Sequence, residues 1–374
     1  MDSSKAHQSM TSNLRVSSFQ ALPTPSDLVT ELPATTRHAS VVQGGRTQLR
    51  DVFDGLDDRL LVVVGPCSVH DPSAGVEYAA RLAEAAAKYE DRLLVVMRAY
   101  FEKPRTTVGW KGLINDPHLD GSHDIATGLR TARRFLLDVT ELGLPCGTEF
   151  LEPISPQYIA DLVSWGAIGA RTSASQIHRQ LASGLSMPVG FKHGTDGDLQ
   201  GALDGCAAAS GRQSFLGVDD HGRAALVSTA GNAETHLILR GSDTVPNYSE
   251  HHVTAANERL ARAGLNPRVV IDASHGNSGK SHLRQAVVAQ ELAAQVAAGR
   301  TAIAGIMLES FLVGGSQPLE VSAAASTGLT FGQSVTDECL GWDVTAALLD
   351  DLARAAAHRA AHTTTARALT HTAR

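Results

Sequence analysis

The sequence predicts a single α/β domain, a (β/α)8 TIM barrel with an N-terminal extension and a β-hairpin inserted before the sixth barrel strand. Two observations lead to this prediction. Eight short apolar runs alternate with longer helical segments, which is the pattern of repeated βαβ units and a parallel sheet. Eight strands that are each followed by a helix match a closed barrel, which typically needs about 250 residues. Because the chain has 374 residues, extensions must account for the remainder.

The apolar runs are too short for helices and are bounded by charged or turn residues, so each is interpreted as a buried parallel strand. The eight predicted strands lie at 61–65, 93–97, 146–150, 168–170, 189–191, 236–239, 269–272 and 303–308. The segments between and after them are interpreted as helices at 73–90, 123–142, 156–164, 174–184, 197–209, 250–264, 280–299 and 337–357.

The remaining segments differ from this repeat in composition. Residues 1–25 are polar and are expected to be mobile, and a helix is predicted over 37–55. The Gly- and Ser-rich stretch 314–335 is interpreted as a long loop after the eighth strand. The predicted division is an N-terminal arm and helix at 1–57, a catalytic barrel at 58–357, an inserted hairpin at 213–230 and a flexible C-terminal tail at 358–374.

Composition excludes several classes of protein. A hydrophobic content of 43% is sufficient for a large core, and the net charge of -7 argues against a general nucleic-acid binder. The 4 cysteines have no paired spacing, which favours reduced thiols and a cytoplasmic location over a disulfide framework. No signal peptide and no apolar run of membrane-spanning length is apparent, so neither nucleic acid nor a membrane is expected as a partner.

The strongest functional signal is the type of residue that follows each predicted strand. In chain order these residues are Cys67, Arg98, Glu149, Arg171, Lys192, Arg240, His275 and Glu309. In a barrel all eight strand ends meet at one face, where active sites lie. Each residue taken alone has a structural explanation, such as a buried thiol or an acid that pairs with an arginine. The conjunction of eight predicts an active site at this face.

The loop after the second strand carries a concentration of positive charge. Pro104 holds Lys103 and Arg105 close together. Two like charges about 4 Å apart repel by roughly 4 kcal/mol at a protein surface, so such a pair favours an arriving anion. Thr106 adds a neutral donor. The alternative is a solvated loop whose cations pair with Glu102 and other acids.

The strand-end residues divide into two chemical groups. The cations exceed what one monoanion needs and predict phosphate groups on two ligands: Arg98, Lys103, Arg105, Arg171, Lys192 and Arg240. The second group is Cys67, His275 and Glu309, with Asp337 as the best fourth candidate. Thiolate, imidazole and carboxylates together suit a transition metal such as Mn, Fe, Co, Cu or Zn.

These residues lie in motifs that resemble those of the type I 3-deoxy-D-arabino-heptulosonate 7-phosphate (DAHP) synthases. The motifs are GPCSVHDP at 65–72, RAYFEKPRTTVGWKG at 98–112, SWGAIGART at 164–172, PVGFK at 188–192, PNYS at 246–249 and IDASH at 271–275. The resemblance covers about residues 58–352. It implies condensation of phosphoenolpyruvate with erythrose 4-phosphate on one divalent metal (Mn, Fe, Co or Zn), the first step of the shikimate pathway.

The resemblance also implies a role for each residue. The metal ligands would be Cys67, His275, Glu309 and Asp337. Phosphoenolpyruvate would be held by Arg98, Arg171, Lys192 and Arg240, with Lys103 close by. Arg105 and Thr106 would take the phosphate of erythrose 4-phosphate, and Glu149 would position water. As a separate mechanistic hypothesis, Lys192 also donates a proton. One departure is His193, which follows Lys192 where the family commonly has Asn.

Many members of this family are inhibited by an aromatic amino acid held between the barrel, the hairpin and a neighbour's N-terminal arm. The matching positions are Pro156, Gln157, Leu181, Leu185, Ser186, Phe215 and Val227. The resemblance therefore implies a homodimer or homotetramer with an aromatic effector. The identity of the effector stays open, with tyrosine as one candidate. The alternative is that these residues merely pack the hairpin.

Three other functions remain open from the sequence. A Schiff-base aldolase would use Lys192 on the same barrel and need no metal. The sister enzyme that makes the eight-carbon sugar acid from arabinose 5-phosphate would differ in the loop at 103–106. An inactive regulatory paralogue would lack a metal ligand, and all four are present here.

Overall fold

The computed structural model describes residues 11–105, 109–321 and 328–372, with side chains through residue 362. Eight parallel strands close into a barrel in the order β1-β10-β9-β8-β5-β4-β3-β2. The barrel strands are β1 (Leu60–Gly65), β2 (Leu93–Arg98), β3 (Cys146–Glu149), β4 (Trp165–Ile168), β5 (Val189–Lys192), β8 (Thr235–Leu239), β9 (Val269–Asp272) and β10 (Ile303–Glu309). The predicted (β/α)8 barrel is therefore confirmed.

Helices surround this barrel and precede it in the chain. They are α1 (Pro25–Glu31), α2 (Thr36–Asp54), α3 (Pro72–Lys88), α4 (Ile125–Glu141), α5 (Pro156–Ile159), α6 (Gln176–Gly184), α7 (Gln200–Ser210), α8 (Glu250–Arg262), α9 (His275–Ser278), α10 (His282–Ala297) and α11 (Trp342–Thr372). A 3-10 turn, Ala160–Leu162, follows α5.

The barrel interior is filled by every second residue of its strands. In β1, Leu61 and Val63 belong to the interior cluster, whereas the alternate residues belong to the cluster shared with the outer helices. The last turns of α2 add Val52 and Phe53 to the interior cluster. Phe53 stacks on His236 of β8 with ring centroids 3.9 Å apart. Helix α2 therefore covers the amino-terminal end of the barrel.

The fourth strand lies earlier in the chain than the sequence indicates. It was expected at 168–170, but β4 runs from Trp165 to Ile168 and pairs with β5 from Gly166 onward. After Ile168 the carbonyl of Gly169 accepts the N–H groups of Thr172 and Ser173, so the backbone turns instead of continuing the ladder. Arg171 consequently lies in a loop three residues beyond the strand.

The inserted hairpin is present as β6 (Gln213–Val218) and β7 (Ala224–Thr229), paired antiparallel from Gln213↔Thr229 to Val218↔Ala224. The solvent exposure of its side chains alternates along both strands. Leu216 and Leu226 face outward at 93% and 73% exposed, whereas the alternate residues are half-buried. The hairpin thus presents one face to the rest of the molecule.

Three features near the chain ends go beyond the predicted elements. Helix α1 lies within the segment expected to hold only the arm and one helix. The predicted loop 314–335 contains most of a small parallel pair, β11 (Val313–Ser316) with β12 (Gln333–Ser334). Helix α11 does not end at 357. Its backbone is helical through Thr372, and beyond residue 357 the buried Arg359 anchors it to the barrel by donating to the carbonyls of Ile303 and Asp58.

Candidate active site

A cavity of about 500 Å³ opens at the carboxyl ends of the barrel strands. Its lining includes most of the predicted site residues: Arg98, Lys103, Arg105, Glu149, Arg171, Lys192, Arg240, His275 and Asp337. Cys67 and Glu309 are fully buried beside it. Thr106 lies outside the described residues. Strand ends that are far apart in the chain therefore meet at one face, as the barrel requires.

Three of the predicted metal ligands converge. One ligand atom each of Cys67, Glu309 and Asp337 lies within 4.8 Å of the others. The fourth, His275, directs Nε2 toward this group at 3.9 Å from Glu309 Oε1. A thiolate, two carboxylates and an imidazole are a donor set that suits a divalent transition metal. The residues present fit such an ion.

The imidazole of His275 is oriented by polar contacts to its Nδ1 atom. Its Nδ1 lies 2.9 Å from Asp272 Oδ2 and 2.7 Å from the hydroxyl of Ser274. A carboxylate on one ring nitrogen fixes the ring orientation and leaves the other nitrogen available as a ligand. Asp272 is fully buried, and although burial raises the pKa of its carboxyl, His275 and Lys192 hold that pKa well below its ordinary value. Asp272 was not predicted from the sequence.

Cys67 contacts the ammonium group of Lys103 and the thiol of Cys339. Lys103 Nζ lies 3.1 Å from Cys67 Sγ and 3.1 Å from the Cys67 carbonyl oxygen. Burial and the charge of Glu309 raise the pKa of the thiol, while Lys103 lowers it. The backbone N–H of Cys67 donates to Cys339 Sγ at 3.3 Å. Lys103 is therefore the cation closest to the proposed metal ligands in this loop.

Two of the predicted substrate cations are already paired with acids. Arg98 is buried, donates to Glu309 Oε1 at 2.8 Å and lies over the ring of Tyr100 at 3.5 Å. Lys192 Nζ lies 3.0 Å from Asp272 Oδ2. Both acids belong to the metal side of the site, so the cationic and metal-binding groups share one network of charges.

The other cations are freer to receive an anion. Arg240 donates to the carbonyl of Gly241 at 3.0 Å and lies 3.9 Å from Asp243. Arg171 and Arg105 are exposed on loops at the rim of the cavity. Guanidinium groups present planar pairs of donors that match phosphate and carboxylate oxygens. The arrangement can hold anionic substrates above the proposed metal ligands.

Glu149 ends β3 with an oxygen that lacks a partner. The residue is 6% exposed, and within the described part of the chain its Oε1 makes no hydrogen bond. A Cβ added at Gly169 would lie 2.3 Å from this oxygen, so any larger residue there would collide with it. An unpaired buried carboxylate oxygen beside a polar cavity is suited to bind water or accept a proton.

His193 connects the loops that carry Lys192 and Arg240. Its Nδ1 donates to the Gly194 carbonyl at 2.8 Å, and its Nε2 accepts the N–H of Arg240 at 3.1 Å and the amide of Asn247 at 2.8 Å. Burial lowers the pKa of His193 to about 4. The neutral ring thus supports the backbone of Arg240, a role that the sequence did not reveal.

Several other lining residues were also missed. Lys280 Nζ lies 3.4 Å from Asp337 Oδ1, and Thr195, Asp243 and Thr336 also line the cavity. Lys280 lies five residues after His275, so its closeness in the chain to a predicted histidine ligand was a signal available in the sequence. The other three lie on loops whose course depends on packing.

A second cavity of about 640 Å³ lies outside the barrel. All seven residues predicted for the effector line it: Pro156, Gln157, Leu181, Leu185, Ser186, Phe215 and Val227. Pro25, Ser26 and Val29 of α1 contribute to the same wall, as does Arg46 of α2. The N-terminal segment of the same chain therefore takes part in this cavity.

Among the described residues, no helix has the length and apolar character required to cross a membrane.

Comparison with known proteins adds independent findings. A family model described as the DAHP synthetase I family matches residues 31–350. The chain is 55% identical to a Corynebacterium glutamicum protein named phospho-2-dehydro-3-deoxyheptonate aldolase, over 94% of this chain and 96% of that protein. It is 52% identical to the Escherichia coli protein of that name designated Phe-sensitive, over 92% of this chain and 97% of that protein.

A solved structure of the Francisella tularensis SCHU S4 protein of the same name has a TM-score of 0.89 against this chain at 45% identity. The match covers 92% of this chain and 99% of that one. Other relatives are named Trp-sensitive and Tyr-sensitive.

Proposed function

The chain belongs to the DAHP synthetase I family, and from this membership and the geometry of the cavity we propose how its residues perform the family reaction. It is a transferase that condenses phosphoenolpyruvate with erythrose 4-phosphate to DAHP and phosphate, the first step of the shikimate pathway. The observation that carries the proposal is the convergence of Cys67, Glu309 and Asp337 beside a cavity lined by cations.

The arginine and lysine side chains of the cavity are proposed to bind and orient the two substrates. Arg171, Lys192 and Arg240 are proposed to hold the phosphate and carboxylate of phosphoenolpyruvate, with Arg98 behind them. Arg105, with Thr106 next to it in the chain, would take the phosphate of erythrose 4-phosphate. Holding both substrates in register replaces a two-body encounter with a near-attack geometry. Lys103 lines the same cavity, with Nζ 3.1 Å from Cys67 Sγ.

Bound by Cys67, His275, Glu309 and Asp337, a divalent metal (Mn, Fe, Co or Zn) would supply Lewis-acid polarisation of the aldehyde oxygen. C3 of phosphoenolpyruvate forms the new bond to the aldehyde carbon, whose oxygen takes a proton from Lys192. Water held by Glu149 adds at the electron-deficient C2 and gives up one proton to that carboxylate. The C2–O bond to phosphate then breaks with its electron pair going to phosphate, while the new C2 hydroxyl becomes the ketone and its proton goes to the departing phosphate. The proton count closes because the proton given by Lys192 is matched by the proton that Glu149 accepts, and the second proton of the water leaves with phosphate.

The alternatives left open by the sequence are less well supported. A Schiff-base aldolase needs a lysine nitrogen that is free to attack a carbonyl, whereas Lys192 Nζ is held in an ion pair 3.0 Å from the buried Asp272 carboxylate. An inactive paralogue would lack a ligand, yet all four proposed ligands lie at one strand-end face.

We also propose that the second cavity binds an aromatic amino acid as a feedback effector. The seven predicted residues line one cavity, and relatives named Phe-, Trp- and Tyr-sensitive match over most of the chain. A homodimer or homotetramer and a cytoplasmic location stay predictions.

The test is phosphate release from phosphoenolpyruvate by the purified protein, with and without erythrose 4-phosphate, after chelation and after addition of each metal. We expect release that requires both the sugar phosphate and a metal. Release without erythrose 4-phosphate, or full activity after exhaustive chelation, would contradict the proposal. Trapping of a lysine adduct by borohydride would favour the aldolase instead.

A further inference from the structure

One cation of the active-site cavity has no part in the mechanism above. Lys280 lines the cavity, its Nζ lies 3.4 Å from Asp337 Oδ1, and its side chain is 58% exposed. An ion pair with so exposed a partner contributes little to the stability of a fold. The position of Lys280 therefore needs an explanation other than stability.

Lys280 closes the short turn that begins with a proposed metal ligand. Helix α9 starts at His275 and ends at Ser278, and the N–H of Lys280 donates to the carbonyl of His275 at 2.8 Å. Among the described residues, five other than glycine have a positive φ, and two of them are His275 at 50° and Lys280 at 65°. Backbone of this kind persists where the surroundings impose it, and it is concentrated at functional sites. The turn thus places a metal ligand and a lysine at its two ends.

Packing fixes this turn against the loop after β8. Asn277 is fully buried, its N–H donates to the Arg240 carbonyl at 3.1 Å, and its Nδ2 donates to the Asp272 carbonyl at 2.8 Å. At Gly276 an added Cβ would lie 2.2 Å from the carbonyl oxygen of Ser242, so the two backbones are in close contact. The backbone that carries the lysine is therefore held at the edge of the cavity, and only the exposed side chain can change position.

Lys280 also completes a pattern of charge pairing at the proposed metal site. Each of the three converging anionic ligands lies beside one cation. The pairs are Cys67 with Lys103 at 3.1 Å, Glu309 with Arg98 at 2.8 Å, and Asp337 with Lys280 at 3.4 Å. With the thiol ionised, three negative charges meet three positive ones, so a divalent metal added to them leaves an excess of two positive charges. That excess favours an anionic substrate beside the metal ligands.

The proposed mechanism places erythrose 4-phosphate closest to this lysine. Its aldehyde is the group that the metal would polarise, so this substrate lies next to Asp337 and the other ligands. A lysine offers three hydrogens on a flexible stem and suits an oxygen whose position is not fixed in advance. We propose that Lys280 is a further substrate-binding residue, which donates to erythrose 4-phosphate beside Asp337 and whose charge opposes that of the metal. The inference rests on the proposed function of the same cavity.

Removal of Lys280 has two opposing effects on metal affinity. A group that hydrogen-bonds a metal ligand orients it, and its loss typically weakens metal binding by about 10- to 100-fold. A like charge close to the metal repels it, and its loss strengthens metal binding. A contact of 3.4 Å is long for a hydrogen bond and the lysine is more than half exposed, so it orients Asp337 weakly. Repulsion is therefore the larger effect, and the metal should bind more tightly without Lys280.

The test compares the wild-type enzyme with Lys280→Met, which nearly keeps the length of the side chain and removes its charge. The Kd for Mn²⁺ is measured by calorimetric titration of the metal-free protein. Steady-state rates are measured at saturating metal while each substrate is varied. Lys280→Arg keeps the charge, and Lys88→Met, the same change at an exposed position at the end of α3, is the matched control.

We expect Lys280→Met to bind Mn²⁺ about 3- to 10-fold more tightly than the wild type, which is the effect of removing a like charge from a largely solvated site. We expect KM for erythrose 4-phosphate to rise about 10-fold, as for a lost hydrogen bond to a charged group, and KM for phosphoenolpyruvate to change little. Lys280→Arg should recover most of the loss in KM, and Lys88→Met should match the wild type in every measurement.

Two results would overturn the inference. Weaker metal binding by Lys280→Met would show that the lysine orients Asp337, and an unchanged KM for erythrose 4-phosphate would show that it does not contact that substrate. If the wild type neither binds metal nor consumes erythrose 4-phosphate, the proposed function fails and this inference fails with it. If the wild type does both and Lys280→Met behaves identically, only the inference fails. Should Lys280→Met not fold, Lys280→Gln decides by the same two measurements.

Discussion

The two cavities of this protein are built on different principles. The active-site cavity collects charged side chains from the ends of barrel strands, including Arg98 and Lys192, and balances them with buried acids. The cavity outside the barrel is lined by apolar residues such as Leu181 and Phe215. Two of its charged residues already have partners, because Arg46 donates to the carbonyls of Ala160 and Val163 and Asp161 pairs with Arg133.

This difference teaches which kind of recognition each cavity supports. The first can select a ligand by charge, because cations with unsatisfied donors face an open space. The second supports recognition by shape and apolar contact, because apolar side chains such as Leu181, Phe215 and Val227 form much of its wall. Variants that remove a charge should therefore affect the first cavity, and variants that change volume should affect the second.

The largest loss of activity is expected from a change in the proposed metal-binding residues. Cys67→Ala removes the thiolate, and a site that loses one of its ligands binds metal less tightly and holds it in the wrong geometry. We expect kcat to fall by about 1,000-fold or more, with reduced metal content by elemental analysis. Cys206→Ala, which removes a buried thiol on α7, is the control and should keep wild-type activity. Full metal-dependent turnover by Cys67→Ala would break the assignment.

The next effect is at the rim of the same cavity. Arg171→Ala removes a guanidinium from a proposed phosphoenolpyruvate site, and hydrogen bonds to charged groups contribute about 1.5–3 kcal/mol. We expect KM for phosphoenolpyruvate to rise about 10- to 100-fold with a smaller change in kcat. Arg134→Ala, on the exposed side of α4, should leave steady-state kinetics unchanged. An unaltered KM in Arg171→Ala would identify Arg171 as structural.

The pH dependence of the free energy of unfolding tests the buried His193, which supports the backbone of Arg240 beside this cavity. The pKa of His193 is about 4 in the folded chain against 6.5 in the unfolded chain. Below pH 6.5 the unfolded state therefore binds more protons, and this residue makes folding less favourable as the pH falls toward 4. Between pH 7.5 and pH 5 its contribution amounts to about 2 kcal/mol. His193→Asn should flatten the pH dependence of denaturant unfolding by that amount, and an unchanged slope would refute it.

The smallest effect concerns the second cavity. Val227→Trp places a large ring in the space proposed for the effector. We expect binding of the aromatic amino acid to weaken about 10-fold or more, which is about 1.4 kcal/mol, with uninhibited activity near that of the wild type. Leu226→Trp, one residue away on the outward face of the hairpin, should retain binding. Equal loss in both variants would show that the hairpin itself, and not the cavity, was disturbed.

The accuracy of the sequence-based prediction differs between the strand ends and the contacts made beyond them, for a physical reason. Strand ends were predictable because a parallel barrel brings every carboxyl end to one face, so Cys67, His275 and Glu309 were assigned to one site without coordinates. The shift of β4 and the partner of Lys192 were not predictable, because a turn at Gly169 and the position of Asp272 depend on neighbouring strands.

By itself the sequence determined the eightfold repeat of strand and helix. It also determined which end of the barrel carries the active-site residues and which types of side chain lie there, because apolar periodicity and residue type act locally. Only the tertiary structure decided that Arg98 is paired with Glu309, that α1 helps to build the second cavity, and that the buried Glu102 accepts the hydroxyl of Ser155. These features are contacts between segments distant in the chain. Which of many possible partners a buried charge receives is settled by how the helices and loops pack around the barrel.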